Sequence, residues 1–241
     1  MSLVPYPHPR QPPRRPRLDQ ARIVEAALDL LDQVGLDGLT MRQLADHLGV
    51  RAASLYRHVR DKQELLVLLA DAVSGKIPLA RAEPPWQQRL VEAGRAYRRG
   101  LLVRRDAARL LATTAPVGPL RLRHIEALLG VLLLAGLADQ DAARAAYHFN
   151  NFVTEFAADE ARFATAAQAL GVSRAQLFEE ARRRFRSLPV AEFPNLARLA
   201  DHLAEDDPDG LFDFGLELWL RGLERLAQPG RRGAERSARP G

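Results

Sequence analysis

The chain has 241 residues, with 35 Lys+Arg against 30 Asp+Glu for a formal net charge of +5. Its 47% hydrophobic and 27% charged content describes a globular chain long enough for one large domain or two small ones, and excludes a disordered one. Cysteine is absent, which removes disulfide scaffolds, thiolate metal sites, iron–sulfur clusters and thiol nucleophiles together and fits a reducing compartment.

The longest apolar run, Ala127 to Ala138, is short of the roughly 20 residues a membrane span needs. The N-terminus, MSLVPYPHPRQPPRRPR, lacks the apolar core and cleavage site of a secretory signal. A cytoplasmic protein with no membrane contact is expected. Only two of the basic residues are Lys (Lys62 and Lys76), a skew of the kind a GC-rich bacterial genome produces. The charge is unevenly placed. Residues 1–17 carry four Arg and no acid, and residues 229–241 carry four Arg and one Glu. Both ends read as disordered basic tails. Between them, Thr40 to Lys62 has five bases (Arg42, Arg51, Arg57, Arg60, Lys62) against Asp46 and Asp61. That is either a local anion-facing surface or an ordinary solvated helix face.

Helical punctuation runs almost throughout, and period-2 β-branched runs are absent. Asp19 caps a first helix carrying Ile23, Ala26, Ala27, Leu30, Leu31 and Val34 at helical spacing, closed by Gly35. Thr40 and Gln43 have the capping-box spacing ahead of Leu44, Ala45 and Leu48, and Gly49 stops that short helix. A third helix is expected over 52–59, and Asp61 caps a fourth over 62–77. Pro78, Pro84 and Pro85 then mark a boundary. Beyond it, helices are expected over 86–102, 104–112, 119–136, 139–167, 173–187, 194–204 and 209–227. The reading is an all-α protein: an N-terminal helical unit over 18–77, and a larger helical domain over 78–228 for ligand binding and dimerisation.

The informative stretch is LTMRQLADHLGVRAASLYRHVRDKQELL, Leu39 to Leu66. A two-turn helix ends at Gly49, a short turn follows, and a second short helix carries small, basic and aromatic residues outward. This is helix-turn-helix spacing, with Leu44, Ala45, Leu48, Val50, Leu55 and Val59 as the buried faces. Such a face fits a major groove about 12 Å wide. Residues 18–77 resemble the DNA-binding domain of the tetracycline-repressor (TetR) family, the Leu-Tyr-Arg-His-Val-x-Asp-Lys run being the most specific part. The resemblance continues more faintly through Trp86, Arg105-Asp106-Ala107, Thr114-x-Pro116 and FDFGLELWLRGLER at 212–225, which look like the tetracycline-repressor subclass itself.

The resemblance implies that 50–59 is a recognition helix and that the partner is a double-stranded DNA operator. Arg42 lies where tetracycline repressors place an Arg on a guanine, whose O6 and N7 fit the guanidinium fork. Ala52 and Ala53 replace a Gln and a Pro at base-facing positions, so the operator should differ from the tetracycline operators. Thr40, Ser54, Tyr56, His58 and Lys62 align with groups that hold or pack against the DNA backbone, and Arg57 and Arg51 add charge there. Alternatives stay open: Tyr56 half-buried against the first helix, His58 hydrogen-bonded to backbone, Arg51 and Arg57 merely solvated.

For the C-terminal domain, the resemblance implies a homodimer whose effector pocket controls the separation of two DNA-binding heads. In tetracycline repressors the effector is a Mg²⁺–drug complex held through a His three residues before the Thr of Thr-x-Pro. Here that position is Leu111, with Thr114 and Pro116 kept. A second drug-contacting His falls on Asn150 or Asn151, and the carboxylate that reaches the metal falls on Asp159 or Glu160. Leu cannot ligate a hard cation. The expectation is therefore no metal and no cofactor, and a largely apolar organic effector with a few polar handles. Candidate lining residues are Tyr97, Leu111, Thr114, His124, Leu128, His148, Asn150, Asn151, Glu155 and Asp159. His124 at the surface, and Glu155 and Asp159 on solvated faces, are the competing readings. Phe149, Phe152, Phe156 and Phe163 suit a core or dimer seam, and the stripe Phe212, Leu216, Trp219, Leu220, Leu223 is too apolar for an isolated helix.

The six His stand in no ligand-spaced motif, and no Gly-rich phosphate loop or GxSxG occurs, so no enzyme is expected. The expected function is a ligand-responsive repressor that binds a palindromic operator as a homodimer. Alternatives are a regulator without effector response, an activator, a structural DNA binder, or a Mg²⁺–tetracycline-responsive repressor.

Overall fold

The computed structural model describes residues 18–79 and 85–227. The two basic tails read from the sequence lie outside them. Among the described residues every regular element is a helix, as composition and periodicity predict.

Four helices make the N-terminal head: α1 (Gln20–Gly38), α2 (Met41–Leu48), α3 (Ala52–Leu55) and α4 (Lys62–Ser74). Asp19 caps α1 by accepting from the Arg22 amide, and Asp61 caps α4 by accepting from the Glu64 amide. Ile23, Ala27, Leu30 and Leu31 of α1 recur one or two turns apart and are buried with Leu44, Ala45, Leu55, Val59, Leu65 and Leu69. Thr40 caps α2 through the Gln43 amide, but the Gln43 side chain accepts from the Thr40 hydroxyl (2.8 Å) instead of reaching back to the backbone. Gly49, at φ 65°, takes the left-handed conformation that closes α2, and the Gly49 and Val50 amides both donate to the Ala45 carbonyl.

The helix that starts at Gln20 is interrupted at Gly35 (φ 73°, ψ 175°), where the sequence reading closed it, and a further helical turn follows to Gly38. The site is tight as well: a Cβ on Gly35 would sit 2.9 Å from Asp106 Oδ2 and 3.1 Å from Arg105 Nε. The third helix is one turn rather than 52–59; residues 56–58 form a hydrogen-bonded turn, with the His58 amide on the Leu55 carbonyl.

The larger part comprises α5 (Trp86–Leu102), α6 (Ala107–Ala112), α7 (Pro119–Leu134), α8 (Asp139–Leu170), α9 (Arg174–Arg186), α10 (Pro194–Arg198), α11 (Ala200–Leu203) and α12 (Pro208–Ala227). The single helix expected over 194–204 is two, divided at Leu199 (φ −100°, ψ 10°). The 32-residue α8 is the axis, packing against α5, α6, α7 and α12. Phe149 and Phe152 of α8 meet Trp219 and Phe212 of α12, the Phe152 and Phe212 rings stacked at 5.3 Å. The phenylalanines are thus core within one chain, except Phe163, which pairs with Phe178 of α9. Arg98 of α5 ties the bundle together from inside. It bonds Glu160 (2.8 Å) on α8 and Asp209 (2.6 Å) on α12 beneath the Phe156 and Phe212 rings.

The Pro-rich stretch near 78–85 is not a packing boundary. The head core continues into Leu101 at the end of α5, into Ala107, Ala108, Leu110 and Leu111 of α6, and into Ala157 of α8. Polar groups reinforce the junction. Asp106, itself left-handed at φ 57°, accepts from the Leu36 amide just after the Gly35 kink (2.8 Å). Arg104 bonds Asp32 (2.6 Å), and Arg109 forks onto both oxygens of Asp37 (2.7 Å each).

Candidate nucleic-acid interface and effector cavity

On the head, α2 and α3 turn the same kind of surface outward. Arg42 projects from the first turn of α2 and is exposed, as are Thr40, Arg51, Ala53, Tyr56 and Arg57; Ala52, Ser54, His58 and Lys62 are half-buried at its margin. Among the described residues, Arg42, Arg51 and Arg57 form no ion pair, whereas Arg60 pairs with Glu64 (3.3 Å). Unpaired guanidinium groups around a small-residue helix start suit phosphates and base edges. Tyr56 is 52% exposed, so about half of its surface is open to a partner. The Thr40 hydroxyl accepts from the Gln43 amide and donates to the Gln43 side chain, so it bonds a phosphate oxygen only by sharing or redirecting its O–H.

The second feature is a cavity of about 700 Å³, partly open to solvent, bordered by α5, α6, α7 and α8. Eight of the ten predicted lining residues border it: Tyr97, Leu111, Thr114, His124, Leu128, Asn150, Asn151 and Glu155. Two do not. His148 stands on the opposite side of α8 from Asn150, since two residues turn a helix by about 200°, and is exposed in a groove shared with Leu218, Trp219 and Leu226 of α12. Asp159 lies a turn beyond the stretch of α8 that lines the cavity, and its carboxylate pairs with Arg162.

Inside, the walls are mostly aliphatic and aromatic, and polar groups are few. His124 bonds the Ser74 carbonyl at the end of α4 through Nε2 (2.8 Å) and tilts against the Tyr97 ring at 5.6 Å. Burial holds the His124 pKa below the ordinary imidazole value, against the pull of the Ser74 and Ile77 carbonyls, and pushes the Tyr97 phenol up. His124 is therefore neutral at neutral pH, with Nε2–H donating to Ser74.

Two polar groups in the cavity wall escaped the sequence reading. Arg121 is 6% exposed and donates to the Leu111 carbonyl (3.1 Å) and to the carbonyl (3.0 Å) and hydroxyl (2.9 Å) of Thr114. Burial lowers its pKa from the ordinary guanidinium value. Thr154 is 4% exposed, and its hydroxyl has no hydrogen-bond partner among the described residues. Both were legible in helical spacing. Arg121, His124, Ile125 and Leu128 stand at i, i+3, i+4 and i+7, and Thr154 is one turn past Asn150.

A Mg²⁺–drug site does not fit these residues. Leu111 presents a buried aliphatic side chain where a metal-binding His would stand, Asp159 is outside the cavity, and Glu160 is committed to Arg98. Nor do three His, Cys, Asp or Glu side chains gather elsewhere among the described residues.

The cavity is joined to the head. Asp71 of α4 accepts from the Leu120 and Arg121 amides (2.8 Å each), capping the first turn of α7, and His124 reaches the end of α4 one turn later. A helix-turn-helix head whose exit helix is bonded to the wall of a cavity is the architecture of a DNA-binding regulator. The comparisons agree. Residues 23–69 match the family model described as bacterial regulatory proteins, tetR family, and residues 78–227 match the tetracyclin repressor-like C-terminal domain. The chain belongs to the TetR family of transcriptional regulators. It is 34% identical over 212 residues to the class A tetracycline repressor protein from transposon 1721 of Escherichia coli, covering 87% of this chain and 92% of that protein. Among solved structures it resembles the Streptomyces coelicolor TetR family protein ActR in complex with actinorhodin. The TM-score there is 0.80 at 36% identity, over 90% of this chain and all of that one. It also resembles BioQ with its double-stranded DNA operator, with a TM-score of 0.64 at 26% identity over 87% of this chain and 99% of that one.

Proposed function

We propose that the chain is a repressor that binds a palindromic operator as a two-fold homodimer and leaves it when an organic effector enters the cavity. The observation that carries this reading is the pair of links from α4 to α7: Asp71 on the Leu120 and Arg121 amides, and His124 on the Ser74 carbonyl. A guest that displaces α7 acts directly on the helix that leaves the head. In the reading, Arg42 reads a base edge, Ala52 and Ala53 contact thymine methyls, and Arg51, Ser54, Tyr56, Arg57, His58, Lys62 and Thr40 hold the backbone. The protein works in the cytoplasm, where the DNA is.

The dimer is built on α8 and α12. Leu211, Phe214, Leu218 and Leu226 form one exposed stripe along α12, and His148 of α8 is exposed in the groove that Leu218 and Leu226 border. An apolar stripe of this length is a liability on a monomer. A solved family structure supplies the compound to try first: ActR is complexed with actinorhodin. Aliphatic walls with a few polar groups suit an organic guest.

The test begins with operator selection from random duplexes by the purified chain. It is expected to return an inverted repeat, with half-site centres about one helical turn apart or a multiple of it. Gel-shift release is then screened with organic compounds, actinorhodin first, and with tetracycline plus Mg²⁺. Release by an organic compound without metal supports the reading. Release by tetracycline that a chelator abolishes favours the metal–drug alternative instead, and selection of asymmetric sites refutes the two-fold head arrangement.

A further inference from the structure

We infer that the effector carries an acidic group, a carboxylate or an acidic phenol, that docks on Arg121; this rests on the reading of the cavity as the effector site. Arg121 is a cation brought almost wholly inside the protein at the wall of an apolar cavity. A buried charge is tolerated when it is paired, because desolvation costs several kcal/mol per ion (about that order) that neutral acceptors only partly return. Arg121 has no such pair. No carboxylate oxygen lies within 4.0 Å of it among the described residues, and its partners are three neutral oxygens, two of Thr114 and one of Leu111.

The nearby acids are committed elsewhere or stand apart. Asp71 Oδ1 is used by the backbone amides of Leu120 and Arg121, so its charge acts on the guanidinium from a distance and forms no ion pair with it. Glu155, the one carboxylate of the lining, is solvent-exposed and forms no ion pair with Arg121. The guanidinium offers five N–H donors in a planar fork, and the protein's three acceptor contacts leave part of that capacity unused. A carboxylate is the acceptor whose geometry matches the fork. A guest with an apolar body for the aliphatic wall and an acidic group for Arg121 satisfies both features at once.

The experiment uses the full chain and two probes of equal shape, anthracene-2-carboxylate and its neutral isostere anthracene-2-carboxamide. Affinities come from calorimetric titration at a pH where the acid is ionised. A charge-assisted bond is about twice as strong as a neutral one, so the carboxylate is expected to bind about tenfold more tightly than the amide. Arg121→Gln is expected to bring the two to parity by weakening the carboxylate alone, while Arg121→Lys keeps part of the preference. The wild-type comparison needs no variant, so it decides the matter even if Arg121→Gln does not fold. Equal affinities, no binding of either probe, or a preference that survives in a folded Arg121→Gln chain would overturn the inference. Leu128→Trp, which fills the cavity, separates the two levels. Loss of both probes in that variant with parity in the wild type removes the acid preference and leaves the cavity standing. Unchanged binding of both probes places them outside the cavity and removes both readings.

Discussion

Arg42 and Lys62 carry charge of the same sign on the same head, yet their positions give them different work. Arg42 is exposed in the first turn of α2, while Lys62 is half-buried at the start of α4, behind the Asp61 cap. Arg42→Ala is expected to cost about 1–3 kcal/mol on the selected operator and to relax preference at one base position. Lys62→Ala is expected to weaken all duplexes alike and to lower the salt slope by about one unit. Salt-titrated binding of both variants to operator and scrambled DNA checks this; equal losses on both duplexes for Arg42→Ala would make it a phosphate contact. His124 supports a second residue-scale prediction. Its folded pKa lies below the ordinary value of about 6.5, so the unfolded chain takes up a proton first as the pH falls. Stability due to the neutral ring is fully present above that value and is lost as the pH drops through the folded pKa. Urea unfolding of wild type and His124→Gln is expected to show the difference moving in favour of the variant below about pH 6.5; a pH-independent difference would mean that His124 does not carry the linkage. Residue types and spacing exposed much of the cavity wall in advance. Arg121 shares that helical spacing but was passed over, because an Arg reads as solvated until its bonds to the Leu111 and Thr114 carbonyls hold it inside.

Elements whose ends are set by local chemistry were readable, and those set by tertiary contact were not. The Asp19, Thr40 and Asp61 caps and the Gly49 stop all stand where capping residues predict. The break at Gly35 was readable too, but not the close approach of Asp106 and Arg105, some 70 positions away in the chain, that leaves no room for a Cβ there. His148 was misplaced for a related reason: helical phase on a 32-residue helix decides which of two grooves a side chain faces, and both grooves take a His equally well. The apolar face of α12 divides in the same way. Phe212, Leu216 and Leu223 are buried within one chain and Trp219 packs on Phe149, so a charge at Trp219 would damage the protomer itself. Leu218 is 55% exposed on the outer stripe and separates the two effects. Leu218→Glu is expected to leave the helical signal and the unfolding midpoint of the isolated protomer near wild type. It should weaken self-association by about 3–5 kcal/mol, the cost of burying an unpaired charge at a two-fold interface. Sedimentation equilibrium reads this directly; an unchanged dimer constant would move the interface off α12.

At the scale of the whole molecule, head and cavity are two ends of one core rather than two bodies on a linker. Leu110 and Leu111 of α6 pack with Leu65 and Leu69 of α4, and α7 is capped by Asp71 from that same helix. Coupling between effector and operator is a free energy, typically about 1–3 kcal/mol, and it needs a physical link that both sites bias. The Asp71 carboxylate is such a link, because it bonds two amides of a cavity-wall helix from the exit helix of the head. Asp71→Ala leaves those amides without an acceptor and is expected to cost about 1–2 kcal/mol of stability, as the loss of a helix cap does. Asp71 lies away from the outward face of α2 and α3, but its carboxylate accepts from the amide of Arg121 in the cavity wall. Operator affinity in the absence of any compound that releases the wild type is therefore expected to stay within a few-fold of wild type. What should fall is the ratio of operator affinities with and without that compound. Measuring all four affinities in wild type and variant closes the cycle, and a ratio unchanged by Asp71→Ala would show that the signal leaves the cavity by another route, with the Arg109–Asp37 contact between α6 and α1 the next link to cut.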